Sequence, residues 1–384
     1  MKKVLYIYTE RYGGGVQSVM NDEACIYNEN LDIKAAFIGA RDKDSDLRLR
    51  TSFFGLFNFF KIKKFIKREK ICVIHFHGFF LLGLLLPYML IPFAKRAGLK
   101  VFTTAHNYTP TCPSQKRYNF RTKRDCYSCQ FGAHRYFFES CEDVSLYKKL
   151  AKFFYFYAFR YLCFSSDKVF YPSPFAKKHN HDATSNGVAI ENPVNTNFII
   201  DGCEHFGAGN TIKIGYLGRF TEEKGIKELA LSLANNQRKM KGVVFHLAGA
   251  GPLKEDVIQI LEGGNVDYFD FGFLEKDKVD EFYGSIDILV VPSLWHESFC
   301  LVGFEALLRH VPVLCSNKGE IGRFVNQYGV GETFFRFSEI DLLISQMMLR
   351  RSDYKEKLLS VSSWLPGKLS PGYHVERLRR YYDA

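Results

Sequence analysis

Short apolar runs separated by amphipathic stretches occur twice over in this chain, and that pattern leaves few folds open. KVLYIYT (3–9), CVIHFH (72–77), KVFTTAH (100–106) and DKVFYPS (167–173) each give way to polar or glycine residues. Such runs are expected to be buried parallel strands, because a strand covered on both faces needs no polar alternation. A second series starts with IKIGYLGRF (212–220) and continues through FHLAGAGP (245–252), YFDFGF (268–273) and IDILVVPS (286–293). Between the runs lie helical stretches of crossover length, one beginning near Lys224. The expected fold class is α/β: two doubly wound, Rossmann-like parallel-sheet domains with a cleft between them, taking ligands at the carboxyl ends of the strands.

Length agrees with two domains, since 384 residues exceed the roughly 250–300 at which single cores split. GVAIENPVNTNFIIDGCEHFGAGN (187–210) loses periodicity and fills with Asn, Gly and Pro, which places a linker there. The expected domains are 1–200 and 201–370. A last helix, His374 to Asp383 within 371–384, could close onto either domain and is assigned to the first. With 47% hydrophobic and 24% charged residues, disorder is excluded.

The charge is uneven: residues 1–200 hold 30 Lys and Arg against 16 Asp and Glu, whereas the remainder holds 22 against 25. A basic half suits an anionic membrane face, a phosphorylated substrate or nucleic acid, set against a merely solvated surface. MKKVLYIYTERYGGG has too short an apolar run for a signal peptide, so the fold is expected to begin at Met1, in the cytosol, with the ten cysteines reduced. Residues 78–94 lack charge for 17 positions but contain Pro87 and Pro92, which favours a buried or interfacial helix over a span. FFYFYAFRYLCF (153–164) is aromatic nearly all round, and either core or lipid would suit it.

Several strand ends carry residues suited to phosphate. Gly13, Gly14 and Gly15 follow the first strand and precede a helical pattern, as a phosphate-binding turn or a plain tight turn would. GRFTEEKG puts Arg219 and Lys224 at a strand-to-helix junction, where a planar fork and a point charge could clamp a diphosphate. AGAGP supplies Gly249 and Gly251 for a second close-approach turn. PSLWHESFCLVGFEAL (292–307) sets Glu297 and Glu305 about a turn from strand to helix.

Taken in order, GGVQSV, TTAHNYTPTCP, YPSPFAK, ENPVN, GYLGRFTEEKG, LAGAGP and the paired-glutamate stretch resemble the GT-B glycosyltransferases, in particular the large retaining family 4 of polysaccharide and lipopolysaccharide assembly. The resemblance covers most of the length. It implies that Arg219 and Lys224 hold a donor diphosphate, with Gly14, Gly15, Gly218, Gly249 and Gly251 near it. It further implies that Glu305 bonds ribose hydroxyls, that Glu297 contacts the donor sugar, and that the backbone of Phe299, Cys300, Leu301 and Val302 offers N–H groups at a helix start. His106 would face the transferred sugar. A dipole-stabilised carboxylate at a helix N-terminus, worth about 0.3–1 kcal/mol, is the plainer reading of Glu305.

The chain departs from the family pattern at Asn107, where Asp is usual, at Cys300, where Gly is usual, and in SNKGEIGRFV, where Glu320 and Arg323 stand in unexpected places. The implied reaction is hexosyl transfer with retention from a UDP- or GDP-sugar, without a required metal, at the inner face of a bacterial membrane. The implied acceptor is a polyprenyl-diphosphate-linked or lipopolysaccharide glycan, in O-antigen or capsule assembly. Cys112, Cys126, Cys129 and Cys141, with 13, 2 and 11 residues between them, could hold a structural zinc or be free thiols in a loop. A sugar-nucleotide epimerase of the same build would need an acid/base set that the motifs do not supply. A zinc-dependent nucleic-acid-binding protein would leave the second half unexplained.

Overall fold

The computed structural model describes residues 2–8, 19, 33–40, 46–180, 186–196, 211–238 and 240–383. The chain forms two compact units, Met1–Pro193 with Pro371–Ala384, and Val194–Ser370.

In the first unit, strands β1 (Lys2–Tyr8), β2 (Ile33–Ala40), β3 (Leu47–Leu49), β4 (Val73–Phe76), β5 (Lys100–Thr104), β8 (Lys168–Tyr171) and β9 (Gly187–Ala189) form a sheet of order β3-β2-β1-β4-β5-β8-β9, parallel throughout. A small antiparallel pair, β6 (Tyr118–Asn119) and β7 (Arg124–Asp125), stands apart. The order reverses direction beside β1, which makes the carboxyl ends of β1 and β4 the ligand crevice of such a sheet.

β1 shows why the strands carry no polar alternation. Val4 and Tyr6 pack with Phe102, Phe170, Leu378 and Tyr382 on one face, while Leu5 and Ile7 join the larger core on the other. That larger core is covered by helices α1 (Leu56–Glu69), α2 (Leu86–Arg96) and α3 (Leu146–Ser165). A further short helix, α4 (Pro174–Asn180), follows β8.

The second unit repeats the scheme. Its sheet is ordered β12-β11-β10-β13-β14-β15, from β10 (Ile212–Leu217), β11 (Val243–Ala248), β12 (Tyr268–Gly272), β13 (Ile288–Val291), β14 (Val313–Ser316) and β15 (Gly331–Phe334), again all parallel. In β13, Ile288 and Val290 enter one core and Leu289 and Val291 the other. The helices are α5 (Ile226–Asn235), α6 (Lys254–Gly263), α7 (Val279–Gly284), α8 (Leu301–Leu308), α9 (Gly319–Tyr328), α10 (Ile340–Leu349), α11 (Arg351–Ser362) and α12 (Leu365–Leu369). Helix α13 (Pro371–Asp383) returns to the first unit, where Val375, Leu378 and Tyr382 are buried against its sheet.

Three expectations change in detail. The stretch read as linker from 187 opens with the edge strand β9. Residues 78–94 do not form one helix: a 3-10 turn at Phe80–Leu82 precedes α2, where Pro87 sits in the first turn and loses no hydrogen bond, while Pro92 lies inside the helix. Residues 153–164 lie within α3, whose Tyr155, Phe156, Phe159 and Leu162 are core while Phe154 and Phe164 are exposed. Among the described residues no helix is long and apolar enough to cross a membrane.

Candidate functional site

The polar side chains of the second unit converge just past β10 and β13, neighbours at the point where its strand order reverses. After β10 the chain passes Gly218, Arg219 and Phe220 into a 3-10 turn, Glu222–Lys224, and then α5. Gly225 between them has φ 67°, and a Cβ there would lie 2.0 Å from the Pro292 carbonyl oxygen. Only glycine lets the Lys224 turn press this closely against the end of β13.

Lys224 Nζ lies 2.9 Å from Glu297 Oε1, and Ser293 Oγ donates to the same oxygen. Burial alone would raise the Glu297 pKa. The Lys224 charge and hydrogen bonds from Ser293, Lys224 and Cys300 outweigh it and hold the carboxyl below its usual range. Burial likewise works against the Lys224 charge, yet Glu297 holds its pKa above the ordinary lysine value. The pair is therefore ionised on both sides. Arg219 differs: its side chain is 60% exposed, with Nη2 3.2 Å from Glu223 Oε1.

The glycines after β10 and β11 meet each other. Gly218 N–H donates to the Ala248 carbonyl (3.0 Å). Gly249 has φ 131°, and a Cβ there would come within 1.9 Å of the Gly218 oxygen, while one on Gly251 would meet the Phe220 oxygen at 2.5 Å. Their smallness is thus already required by loop-on-loop packing.

Helix α8 begins at Leu301, followed by Val302, and its cap, Cys300, is left-handed at φ 75°. Phe299 anchors the turn by stacking on Phe304 with centroids 4.4 Å apart. The first N–H groups of α8 lie at this end of the helix, as donors for an anion would. Glu305 falls in the second turn of the helix, which removes the N-terminal dipole reading; Tyr283 Oη donates to its Oε2 at 3.1 Å. Glu320, buried, donates its N–H to the Glu297 carbonyl (3.2 Å) and receives Arg323 Nε at 3.1 Å. These two unexpected residues brace Glu297 from behind.

In the first unit, His106 lies two residues beyond β5, and its Nε2 is 2.9 Å from His77 Nδ1. Burial, then His374, lowers its pKa to about 3. His77 and His75 are lowered well below 6.5, burial again leading. His75 is held by Thr104 Oγ1 at 2.8 Å and by Tyr382 Oη at 2.6 Å, which also meets Tyr6 Oη at 3.1 Å. His75 and His77 were not singled out from the sequence, although period-2 alternation puts His75 in β4 and His77 just beyond its end on the same side. Ser293 and Tyr283 carried no sequence signal, being ordinary residues until the fold sets them beside Glu297 and Glu305.

Gly14 and Gly15 lie outside the described residues. Cys112, Cys126, Cys129 and Cys141 are free thiols. Burial followed by the neighbouring thiols pushes Cys129 up to about 12, and Cys141 also to about 12. Among the described residues no group of three or more His, Cys, Asp or Glu side chains is arranged to hold a metal ion. The zinc expectation is therefore not supported: these four gather in one loop region without forming a ligand set.

Comparison with known proteins matches residues 204–348 to the family model described as glycosyl transferases group 1. The 2-deoxystreptamine glucosyltransferase of Streptomyces kanamyceticus is 31% identical over 117 residues, 28% of this chain and 30% of that protein. The lipopolysaccharide 1,2-N-acetylglucosaminetransferase of Salmonella typhimurium is 29% identical over 119 residues, 29% of this chain and 31% of the relative. The chain thus spans less than a third of either relative's length. The crystal structure of Anabaena HepE in complex with UDP covers 100% of both chains at TM-score 0.72 and 14% identity. The chain has the GT-B fold of the glycosyltransferases, and its second unit carries the match to the group 1 glycosyl transferases.

Proposed function

We propose that this protein is a retaining glycosyltransferase that moves a hexosyl group from a UDP- or GDP-sugar to a polyprenyl-diphosphate-linked, lipopolysaccharide or capsule glycan at the cytoplasmic face of a membrane. The observation that carries the reading is the ion pair of partly buried Lys224 with buried Glu297 beside exposed Arg219, at the carboxyl ends of the central strands β10 and β13. UDP bound to a protein of the same fold, and sugar transfer in the names of the sequence relatives, support the donor class.

In this reading Arg219 and Lys224 grip the diphosphate, with the start of α8 (Phe299 to Val302) and the glycine turns (Gly218, Gly249, Gly251) around it. Glu305 takes the ribose hydroxyls, and Glu297 fixes Lys224 and meets the sugar. His106, kept neutral, serves as a hydrogen-bond partner for the transferred sugar. As the glycosidic C–O bond lengthens, negative charge grows on the departing phosphate oxygen and is met by the two fixed cations. That oxygen accepts the proton of the acceptor hydroxyl while the new bond forms on the same face, which retains configuration. Glu297 is a poor nucleophile here, because its carboxylate is already committed to Lys224 and Ser293. The cations supply the charge neutralisation, so turnover should survive EDTA.

The test is Arg219→Ala with a donor screen. A matching nucleotide sugar should raise the melting temperature of the native protein. The variant should keep its own melting temperature and lose about 10²-fold in kcat/KM. Full activity in the variant would refute the clamp.

A further inference from the structure

Helix α1 buries Asn58, Ile62, Phe65 and Ile66 in the first unit. A surface helix should then be polar on its other face, but here Phe57 is 62% and Phe60 59% exposed, next to Leu56. Phe54, just before the helix, is 61% exposed. Farther along, the outward positions change to Lys64, Lys67 and Arg68, and Glu69 is the helix's single acid. Lys61 Nζ sits 5.0 Å from the Phe57 ring centroid.

The apolar face continues onto α3. Phe53 lies 6.5 Å from the Tyr147 ring, and Leu146, Tyr147 and Leu150 are exposed beside Lys148 and Lys149. Two helix starts thus present aromatic and aliphatic side chains side by side, edged with lysines.

We propose that this face docks on an anionic lipid bilayer, with the aromatic rings at headgroup depth and the lysines on lipid phosphates. Three features select that occupant. Aromatic rings flanked by Lys are the pattern of the membrane interface, whereas Lys is depleted from protein–protein interfaces. A second copy of the chain would bring the lysines of α1 and α3 against one another, and like charges in contact disfavour the pairing. A helix of 14 residues with five Lys and Arg lies in an interface rather than crossing it. This surface is independent of the donor chemistry; it rests on the glycosyl-transfer reading only in naming the face where a lipid-linked acceptor is met.

The test is co-sedimentation of the full chain with vesicles of phosphatidylcholine, with and without phosphatidylglycerol. Binding should require phosphatidylglycerol and fall as salt rises. Phe57→Ser/Phe60→Ser should weaken it by at least about tenfold. Lys64→Ser/Lys67→Ser should weaken it about 25-fold at low salt, roughly fivefold for each lysine. Both variants change exposed positions and should melt as cooperatively as the parent. The proposal falls if the parent stays in the supernatant, if it binds phosphatidylcholine equally well, if both variants bind like the parent, or if sizing shows a dimer that Phe57→Ser/Phe60→Ser dissociates. Vesicle binding without turnover of any nucleotide sugar would leave this surface standing and remove the transfer reaction. Turnover on a soluble acceptor without vesicle binding would do the reverse.

Discussion

Each unit holds a pair of largely buried titratable side chains beyond its strand ends, and the two pairs settle into opposite states. His77 and His106, 2.9 Å apart, are neutral. Lys224 and Glu297, also 2.9 Å apart, are both charged. Burial penalises charge in all four residues, so the difference lies in what each group faces. A histidine beside a histidine gains nothing from a proton, whereas a lysine beside a carboxylate gains more from attraction and hydrogen bonding than it loses in desolvation. The first pair can offer hydrogen bonds without charge, and the second offers fixed charge that needs no reorganisation.

The charged pair is most vulnerable at Lys224. Lys224→Ala leaves Glu297 buried without its counter-charge, and the expected loss is about 3–5 kcal/mol of stability, measured by denaturant unfolding. Adding Glu297→Gln should recover most of that stability while transfer stays impaired. If the single variant is as stable as the parent, the pair is not ionised as described.

Acidification separates the pairs. The histidines have folded pKa values below the ordinary 6.5, so their contribution is complete above pH 6.5 and is lost as pH falls toward the folded values. Each such histidine costs about 1.4 kcal/mol per pH unit over that window. The Glu297 pKa is lowered and that of Lys224 raised, so their contribution persists until pH falls through the Glu297 value or rises through the Lys224 value. Melting curves from neutral pH toward 5 should therefore report the histidines, and His77→Gln should flatten the slope. An unchanged slope would place the titration elsewhere.

A smaller effect sharpens the neutral side. Tyr382→Phe removes the hydroxyl shared by His75 and Tyr6, at an expected cost of about 1–2 kcal/mol, again measured by unfolding.

The strands were legible because parallel strands buried on both faces must be apolar throughout, as Val4 to Ile7 show. Lys224 and Glu297 each stood out, but their pairing did not: 73 positions separate them, and only the adjacency of β10 and β13 brings them together. Gly249 and Gly251 read as ligand contacts from sequence because close approach to a ligand and to a neighbouring loop demand the same small residue. The exposed half of α1 went unnoticed because an amphipathic pattern does not say which of two apolar faces is covered. The cysteines failed in the other direction, since spacing fixes only which thiols can come near each other and not whether they make a metal-ligand set, which the described residues do not.

Helix α13 has a further consequence. It completes the first unit's sheet from the far side of the second unit in sequence, with Tyr382 reaching back to Tyr6 and His75. During synthesis, the stretch Val194–Ser370 leaves the ribosome before that helix does, so the later-encoded unit can finish folding while the earlier one still lacks its closing piece. That departs from the usual N-terminal-first order, because His75 on β4 gains its Tyr382 partner only from α13.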